Sequence, residues 1–384
     1  MSATRRGRFL HFAVEHSLVL PVGAVVALIW ANTFDGSYAR FAHAFQFIVN
    51  DVGMAFFFAL ATKEVVEATA PGGALDGWRR AALPVAAAVG GMIGPALLYV
   101  AIVHAMGQTP LLRGWAIPCA TDIAFSYLVA KAVFRQHPAI PFLLLLAIAD
   151  DAFGLIVLAM FYPTGDLHLG IGVLLMAAAL ATSLALRRRG TRSFWPYVLA
   201  GGTLSWAALY WGGLHPALAL VPIVPFLPHA ARDPGLFVEA PAGAHDPLSE
   251  LEHRLKYPVQ VVLLFFALAN AGVPLQTMEA GTWTVLVAIG AGKPVGIVAT
   301  VAIAVAFGLH LPPRLRWPDI VVVGFMASIG FTVALFFATA AFPPGALLNQ
   351  TKMGAMLSAS GSVAAMAAAV LLRVGRFATR EGRP

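Results

Sequence analysis

Apolar stretches follow one another from Phe12 to Leu372, with few polar linkers between them. A bilayer core of about 30 Å takes roughly 20 apolar residues per helix. A window of that length marks twelve candidate spans, near 12–32, 51–70, 81–106, 115–134, 139–162, 167–186, 194–211, 213–229, 257–273, 283–307, 319–342 and 353–372. The breaks between them are chemically plain, as in Pro71-Gly72-Gly73, His137-Pro138, Pro163-Thr164-Gly165-Asp166, Pro312-Pro313 and Pro343-Pro344-Gly345. Runs this long and unbroken predict helices, since a barrel would need alternating segments of about ten residues. The fold class expected is therefore an all-α polytopic membrane protein of about twelve transmembrane helices. It forms one domain over 1–384, with a cytoplasmic N-terminus (1–11), a long cytoplasmic loop (230–256) and a cytoplasmic tail (373–384).

Composition sharpens this picture. With 59% hydrophobic and 11% charged residues in a chain of 384, there is too little polar surface to cover a soluble globule. The formal charge of +7 brings no run of basic residues with interleaved aromatics, so nucleic acid is not an expected partner; the lipid bilayer is. Of the 25 Lys and Arg, all but Arg40, Arg113, Lys352, Lys63 and Lys293 fall on one side when the N-terminus is placed inside. Arg40, Arg113 and Lys352 then sit in outer connections, and Lys63 and Lys293 within spans. The asymmetry predicts both termini in the cytoplasm of a bacterial inner membrane. The basic N-terminal stretch runs into an apolar one without a small-residue cleavage site, which predicts a retained first helix. A single cysteine, Cys119, offers neither an internal disulfide nor a zinc site, and no cofactor is expected.

Four charged residues fall in mid-span: Asp122, Asp150, Asp151 and Lys293. Each costs roughly 2.5 to 3.5 kcal/mol on insertion scales, so together they approach the whole stability of a typical domain, about 5 to 15 kcal/mol. An ion pair between Lys293 and one aspartate neutralises two of them. It cannot absorb three acids, so at least one carboxylate must be protonated or bind a cation. Adjacent Asp150 and Asp151 stand about 100° apart around a helix, which suits one to an ion site and the other to its flank. Pro118 frees a carbonyl just before Asp122, and Thr121 adds a hydroxyl oxygen; such an oxygen set suits a hard cation such as sodium, or a proton. A second interruption lies at 324–332 (GFMASIGFT). Two interrupted spans, each second in a trio, are what an inverted repeat with crossed broken helices leaves in a sequence, and Asp122 and Lys293 are the counter-charges such half-helix ends need.

Segments 114–125 (GWAIPCATDIAF), 146–154 (LAIADDAFG), 269–276 (ANAGVPLQ), 292–297 (GKPVGI) and 324–332, in that order, closely resemble the NhaA family of sodium/proton antiporters. The resemblance covers nearly the whole chain. It implies crossed, interrupted fourth and eleventh helices, with Asp151 binding sodium and taking up protons and Asp150 as its partner. Asp122 and Thr121 resemble the family's acid and hydroxyl in the unwound fourth segment. Lys293 resembles a lysine that pairs with an acid, either carrying a transported proton or stabilising the fold. Glu252 and His253 match a cytoplasmic-mouth motif linked in the family to pH response. The run Lys63-Glu64-Val65-Val66-Glu67 departs from a Gly-Leu-Glu-Val-Lys-Arg-Glu type pattern. Glu64, Glu67, Glu252, His253 and His215 are the candidates for pH sensing.

The expected function is a secondary transporter, not an enzyme. It exports sodium, and by the resemblance lithium, against more than one proton, by alternating access at a site formed by Asp151, Asp150 and Thr121, with activity rising at alkaline pH. Its partners are Na+, H+ and Li+, with a homodimer left open. The alternatives are a sodium-coupled symporter of an organic substrate and, from another class, an intramembrane aspartyl protease using Asp122 and Asp151. The protease reading lacks its usual Tyr-Asp and Gly-x-Gly-Asp settings and gives Lys293 no role. A membrane prenyltransferase lacks a second acidic cluster.

Overall fold

The computed structural model describes residues 19–229 and 246–378. The expected N-terminus at 1–11, the stretch 230–245 of the long loop and the last residues of the tail, 379–384, lie outside the described residues, as does the start of the first expected span.

The described chain is helical throughout. In order, α1 is Val19–Thr33, α2 is Asp35–Phe47, α3 is Met54–Thr69, α4 is Trp78–Ala105, α5 is Ile123–Phe134, α6 is Ala139–Phe161 and α7 is Leu169–Arg188. Then come α8 (Thr203–Gly212), α9 (Pro247–Asn270), α10 (Ala280–Val287), α11 (Lys293–Ala306), α12 (Trp317–Ala327), α13 (Phe331–Ala341), α14 (Ala346–Leu357) and α15 (Gly361–Leu371). Wide π turns join α2 to α3 (Ile48–Gly53), precede α8 (Tyr197–Gly202) and join α10 to α11 (Ala288–Gly292). In hydrocarbon every backbone polar group must be satisfied within the segment, which is why apolar runs of this length fold as helices.

Six of these helical stretches are long and apolar enough to cross a membrane, and eight are when each of two bent pairs counts as one span. The bent pairs are Thr109–Cys119 with Ile123–Phe134, at 51°, and Trp317–Ala327 with Phe331–Ala341, at 48°. Both expected interruptions are therefore present.

Four expectations differ from the structure. The stretch around Arg40, expected as an outer connection, is helix α2, which runs on within the helical stretch Gly36–Thr69. The stretch 213–229 is buried but not a continuous helix; it holds two short 3-10 turns, Pro216–Leu218 and Val224–Phe226. Pro216, Pro222, Pro225 and Pro228 each lack the N–H that a helical ladder needs. The expected loop before residue 257 is in part helix, because Asp246 caps α9 by accepting from Ser249 N at 2.8 Å, and Pro247 fills the first helical position. Glu250, Glu252 and His253 thus stand on a helix that runs on to Asn270. Lys352, expected in an outer connection, lies on α14 and is buried.

Packing is closest between α4 and α11. A Cβ on Gly90 would collide with Gly296 O, and one on Gly94 with Gly292 O. These small-residue positions let two backbones touch and fix the height of Lys293, the first residue of α11.

Candidate functional site

The two breaks lie against each other. Between the turn Ile117–Cys119 and α5 the chain is extended, and between α12 and α13 it is irregular over Ser328–Gly330. Asp122 N donates to Ile329 O at 2.6 Å, so each interruption supplies the other with a backbone partner that helix would otherwise provide. The C-terminal carbonyls of α12 are met by hydroxyls: Ser126 Oγ donates to Met326 O at 2.8 Å, and Thr121 Oγ1 lies 3.1 Å from Ala327 O. The N-terminal amides of α13 are met by Ser358 Oγ, which accepts from Gly330 N and Phe331 N at 3.2 and 3.1 Å.

Asp122 serves two helix starts at once. Its Oδ1 accepts from Phe125 N of α5 at 3.0 Å, and its Oδ2 accepts from Thr332 N of α13 at 3.3 Å and from the Thr332 hydroxyl. One negative charge thus sits at two positive helix ends. Lys293, fully buried, donates to Cys119 O at the close of the turn Ile117–Cys119 and to Asp150 Oδ2 at 2.7 Å. Asp122 and Lys293 therefore stand where the broken helices require counter-charge.

Asp150 and Asp151 diverge, in keeping with their spacing. Asp150 is buried, and its Oδ2 takes both Lys293 Nζ and the Thr121 hydroxyl, each at 2.7 Å. Its Oδ1 is buried without a hydrogen-bond partner. Asp151 is only partly buried, and among the described residues it has no hydrogen-bond or ion-pair partner. Both residues line one cavity, with Cys119, Met92, Phe57, Phe58 and Phe337 among its walls. Its volume of about 20 Å³ holds roughly one water-sized occupant. Thr121, Asp122 and Lys293 stand behind this wall. The hydroxyl of Thr121 is directed at Asp150 and Ala327 O, and the carboxylate of Asp122 at the helix ends.

The candidates for pH sensing separate into two groups. Lys63, buried on α3, has its Nζ 2.6 Å from Glu67 Oε2, 2.6 Å from Glu252 Oε2 and 3.3 Å from Glu64 Oε1. The departure from the family run thus places one ammonium among three carboxylates and ties α3 to α9. His253 is exposed and outside this cluster. His215 is buried elsewhere: its Nδ1 accepts from Ala217 N at 3.3 Å, lies 3.9 Å from Asp51 Oδ1, and its ring packs on Phe336 at 4.9 Å.

Two hydroxyls of the site have no role assigned by sequence reasoning: Thr332, in the first turn of α13 just after the second break, and Ser358. The run GFMASIGFT does carry a signal for Thr332, since a hydroxyl just after an interruption is placed to reach the facing break. Ser358 carries none, because its two amide donors come from a segment distant in sequence.

Comparison with known proteins agrees with this architecture. The family model described as Na+/H+ antiporter 1 matches residues 7–372. The Na(+)/H(+) antiporter NhaA 1 of Pelobacter propionicus is 44% identical over 379 residues, covering 96% of this chain and 99% of that protein. The Na(+)/H(+) antiporter NhaA of Desulfitobacterium hafniense is 42% identical over 375 residues, covering 95% and 96%. Among solved structures, the sodium proton antiporter MjNhaP1 of Methanocaldococcus jannaschii superposes with a TM-score of 0.57 over 95% of this chain and 98% of that one, at 15% identity. That likeness speaks for the fold alone. With relatives of this identity matched almost end to end, and a family model spanning both breaks and the paired aspartates, the chain belongs to the NhaA family of sodium/proton antiporters.

Proposed function

We propose that this protein exchanges sodium for protons by alternating access, with Asp151 as the carboxylate that binds either. The observation that carries the reading is that Asp151, alone among the four mid-span charged groups, has no protein partner among the described residues while lining a cavity. A carboxylate with no partner needs a cation or a proton to be tolerable in hydrocarbon. The unpartnered Asp150 Oδ1 adds a second oxygen for a hard cation, as expected of a sodium site. Thr121 acts through Asp150, holding Oδ2 and leaving Oδ1 without a protein partner.

Competition between sodium and protons for the same oxygens enforces exchange, and lithium, smaller and harder, takes the same class of oxygen ligands. Proton loss at higher pH frees the site, so activity rises with alkalinity. We take the cluster of Lys63, Glu64, Glu67 and Glu252, which ties α3 to α9, as the element that responds to pH. When more than one proton returns per sodium, each net charge draws about 2.3 kcal/mol from roughly 100 mV of membrane potential. The two bent spans are the crossed fourth and eleventh helices of a twelve-helix inverted repeat, in an inner membrane with both termini cytoplasmic.

The test is sodium-induced proton movement in proteoliposomes from mildly acidic to alkaline pH, for the native chain and Asp151→Asn. Exchange in the native chain and none in a folded variant is expected. Full exchange by Asp151→Asn refutes the site, and an electroneutral exchange refutes the stoichiometry.

A further inference from the structure

One buried basic side chain has no part in the site above. Lys352 is 7% exposed on α14, and its Nζ makes one long hydrogen bond, 3.4 Å to Asn270 Oδ1. Lysine carries three donors, and among the described residues this one has no carboxylate in reach.

The side chains facing it explain why. The elements packed on α14 are α10, α13 and the turns Leu275–Thr277 and Ile117–Cys119. Among them the titratable groups are Glu279, which begins α10, and Cys119. Glu279 Oε2 is taken by Gln350 Nε2 at 2.6 Å, and the Cys119 thiol is directed at Met92 O. Asn270 and Asn50, on α9 and on the π turn before α3, form a reciprocal amide pair at 2.8 and 3.3 Å, and Asn270 Nδ2 also donates to Phe266 O at 3.0 Å. Asp51, next to Asn50, faces His215 Nδ1 at 3.9 Å.

This cluster and the Lys63 cluster mark opposite ends of one helix pair. Glu252 reaches Lys63 near the start of α9, and Asn270 reaches Asn50 at its end. Those two positions on α9 are about 27 Å apart at 1.5 Å per residue. The molecule thus has an ion-paired lysine at one face and an unpaired lysine at the other.

A buried ammonium without a counter-charge is costly in hydrocarbon, and the neutral amine is far less so. An arginine would carry that cost permanently, since it does not lose its proton; lysine can give it up. The amide oxygen of Asn270 is the right partner for such a group, because it accepts from the ammonium without pinning it as a carboxylate would.

We propose that Lys352, with Asn270 and Asn50, is a second proton-binding site in the half of the bundle opposite the Lys63 cluster, through which returning protons enter. Lys352 Nζ takes one proton and one positive charge from water at that face, holds it against Asn270 Oδ1, and returns both to water within the bundle. The proposal rests on the antiport reading.

The experiment uses the full chain in proteoliposomes of one orientation, with a pH dye inside and radioactive sodium as the cation, and compares native protein with Lys352→Met and Lys352→Arg. Monodisperse elution and sodium binding to the solubilised protein report folding and an intact Asp151 site. Both variants are expected to bind sodium as the native chain does, to exchange on the order of tenfold or more slowly, and to lose the dependence of rate on pH at the Lys352 face. Native-like exchange and pH dependence in Lys352→Arg overturns the proposal, because a fixed charge then suffices; the same result in Lys352→Met overturns it, because no charge is needed. Should either fail to fold, Asn270→Asp supplies a counter-charge 3.4 Å from Nζ. It is expected to pin the proton and slow exchange, and an unchanged rate and pH profile overturns the proposal. Failure of the antiport reading looks different: Asp151→Asn then still binds and exchanges sodium.

Discussion

Asp122 and Asp151 are both mid-span aspartates, yet their replacement by asparagine should have opposite effects on stability. Asp122 accepts three hydrogen bonds, two from amides at the starts of α5 and α13 and one from the Thr332 hydroxyl. Removing its charge forfeits a charge–dipole interaction of up to about 2 kcal/mol at each helix end. Asparagine also puts an NH2 group where one oxygen stood. With its oxygen on Phe125 N, that NH2 faces Thr332 N, leaving a buried donor unsatisfied at about 1 to 3 kcal/mol. Allowing for rotation of the Thr332 hydroxyl to accept, the loss comes to about 3 to 5 kcal/mol. Asp151 accepts nothing, so Asp151→Asn gives up no bond and removes a like charge beside Asp150.

The assay is a thermal scan in detergent at one heating rate, since unfolding of such proteins is read as a rate rather than an equilibrium. At about 2 °C per kcal/mol for a chain of this size, Asp122→Asn should fall by about 6 to 10 °C. Asp151→Asn should stay level or rise. Sodium binding should persist in the first and vanish in the second. A melting temperature for Asp122→Asn equal to the native one, or a larger fall for Asp151→Asn, would refute the division of labour argued from the hydrogen bonds.

Three further outcomes follow from other parts of the bundle. Lys63→Met strips the cation from among Glu64, Glu67 and Glu252, so it should destabilise more than Glu252→Gln, which leaves two carboxylates on the ammonium; thermal scans of the two variants check this. Gly296→Ala drives a Cβ into Gly90 O, against backbone that cannot yield, so α4 and α11 must separate at a cost of at least about 1 to 3 kcal/mol, with slower exchange because Lys293 moves with α11. His137, in the turn between α5 and α6, is held below its ordinary value of 6.5, first by partial burial and also by the repulsion of Arg316, against the attraction of Asp319. Its contribution is present above 6.5 and lost as pH falls toward the folded value, since the unfolded chain binds the proton more readily. His137→Asn, which keeps an acceptor for Ala139 N, should flatten that acid-side slope in melting temperature.

What is legible in the sequence is what hydrocarbon makes expensive. Charges at mid-span and prolines or glycines inside apolar runs are costly there, so Asp122, Asp150, Asp151, Lys293 and both breaks stand out from the chain's own pattern. The spacing of Asp150 and Asp151 predicts divergence but not direction; which of them meets Lys293 depends on where α11 lies against α4 and α6. Lys352 reads as part of an outer connection because a hydropathy window begins a span after a charged residue, whereas α14 starts at Ala346 and carries Lys352 inward. Likewise 213–229 is apolar enough to read as a span, and its four prolines are the sign that it is not helical. The Lys63 run is visible as a departure, but its partner Glu252 belongs to another helix, and no local pattern announces that pairing.

The site depends as much on what keeps Lys293 away from Asp151 as on Asp151 itself. A free carboxylate beside a buried ammonium would ordinarily be neutralised, and the cavity would then hold no unpaired carboxylate. Lys293 Nζ is committed to Cys119 O and Asp150 Oδ2, and the Thr121 hydroxyl fixes that same Asp150 oxygen. Swinging to Asp151 would orphan Cys119 O at the end of its turn and leave Asp150 holding only a hydroxyl. The glycine contacts at Gly94 and Gly296 keep α11 from sliding to make such a swing easier. Asp151 stays unpaired because every neighbour that could satisfy it is better satisfied elsewhere, and the broken helices are what place those better partners within reach.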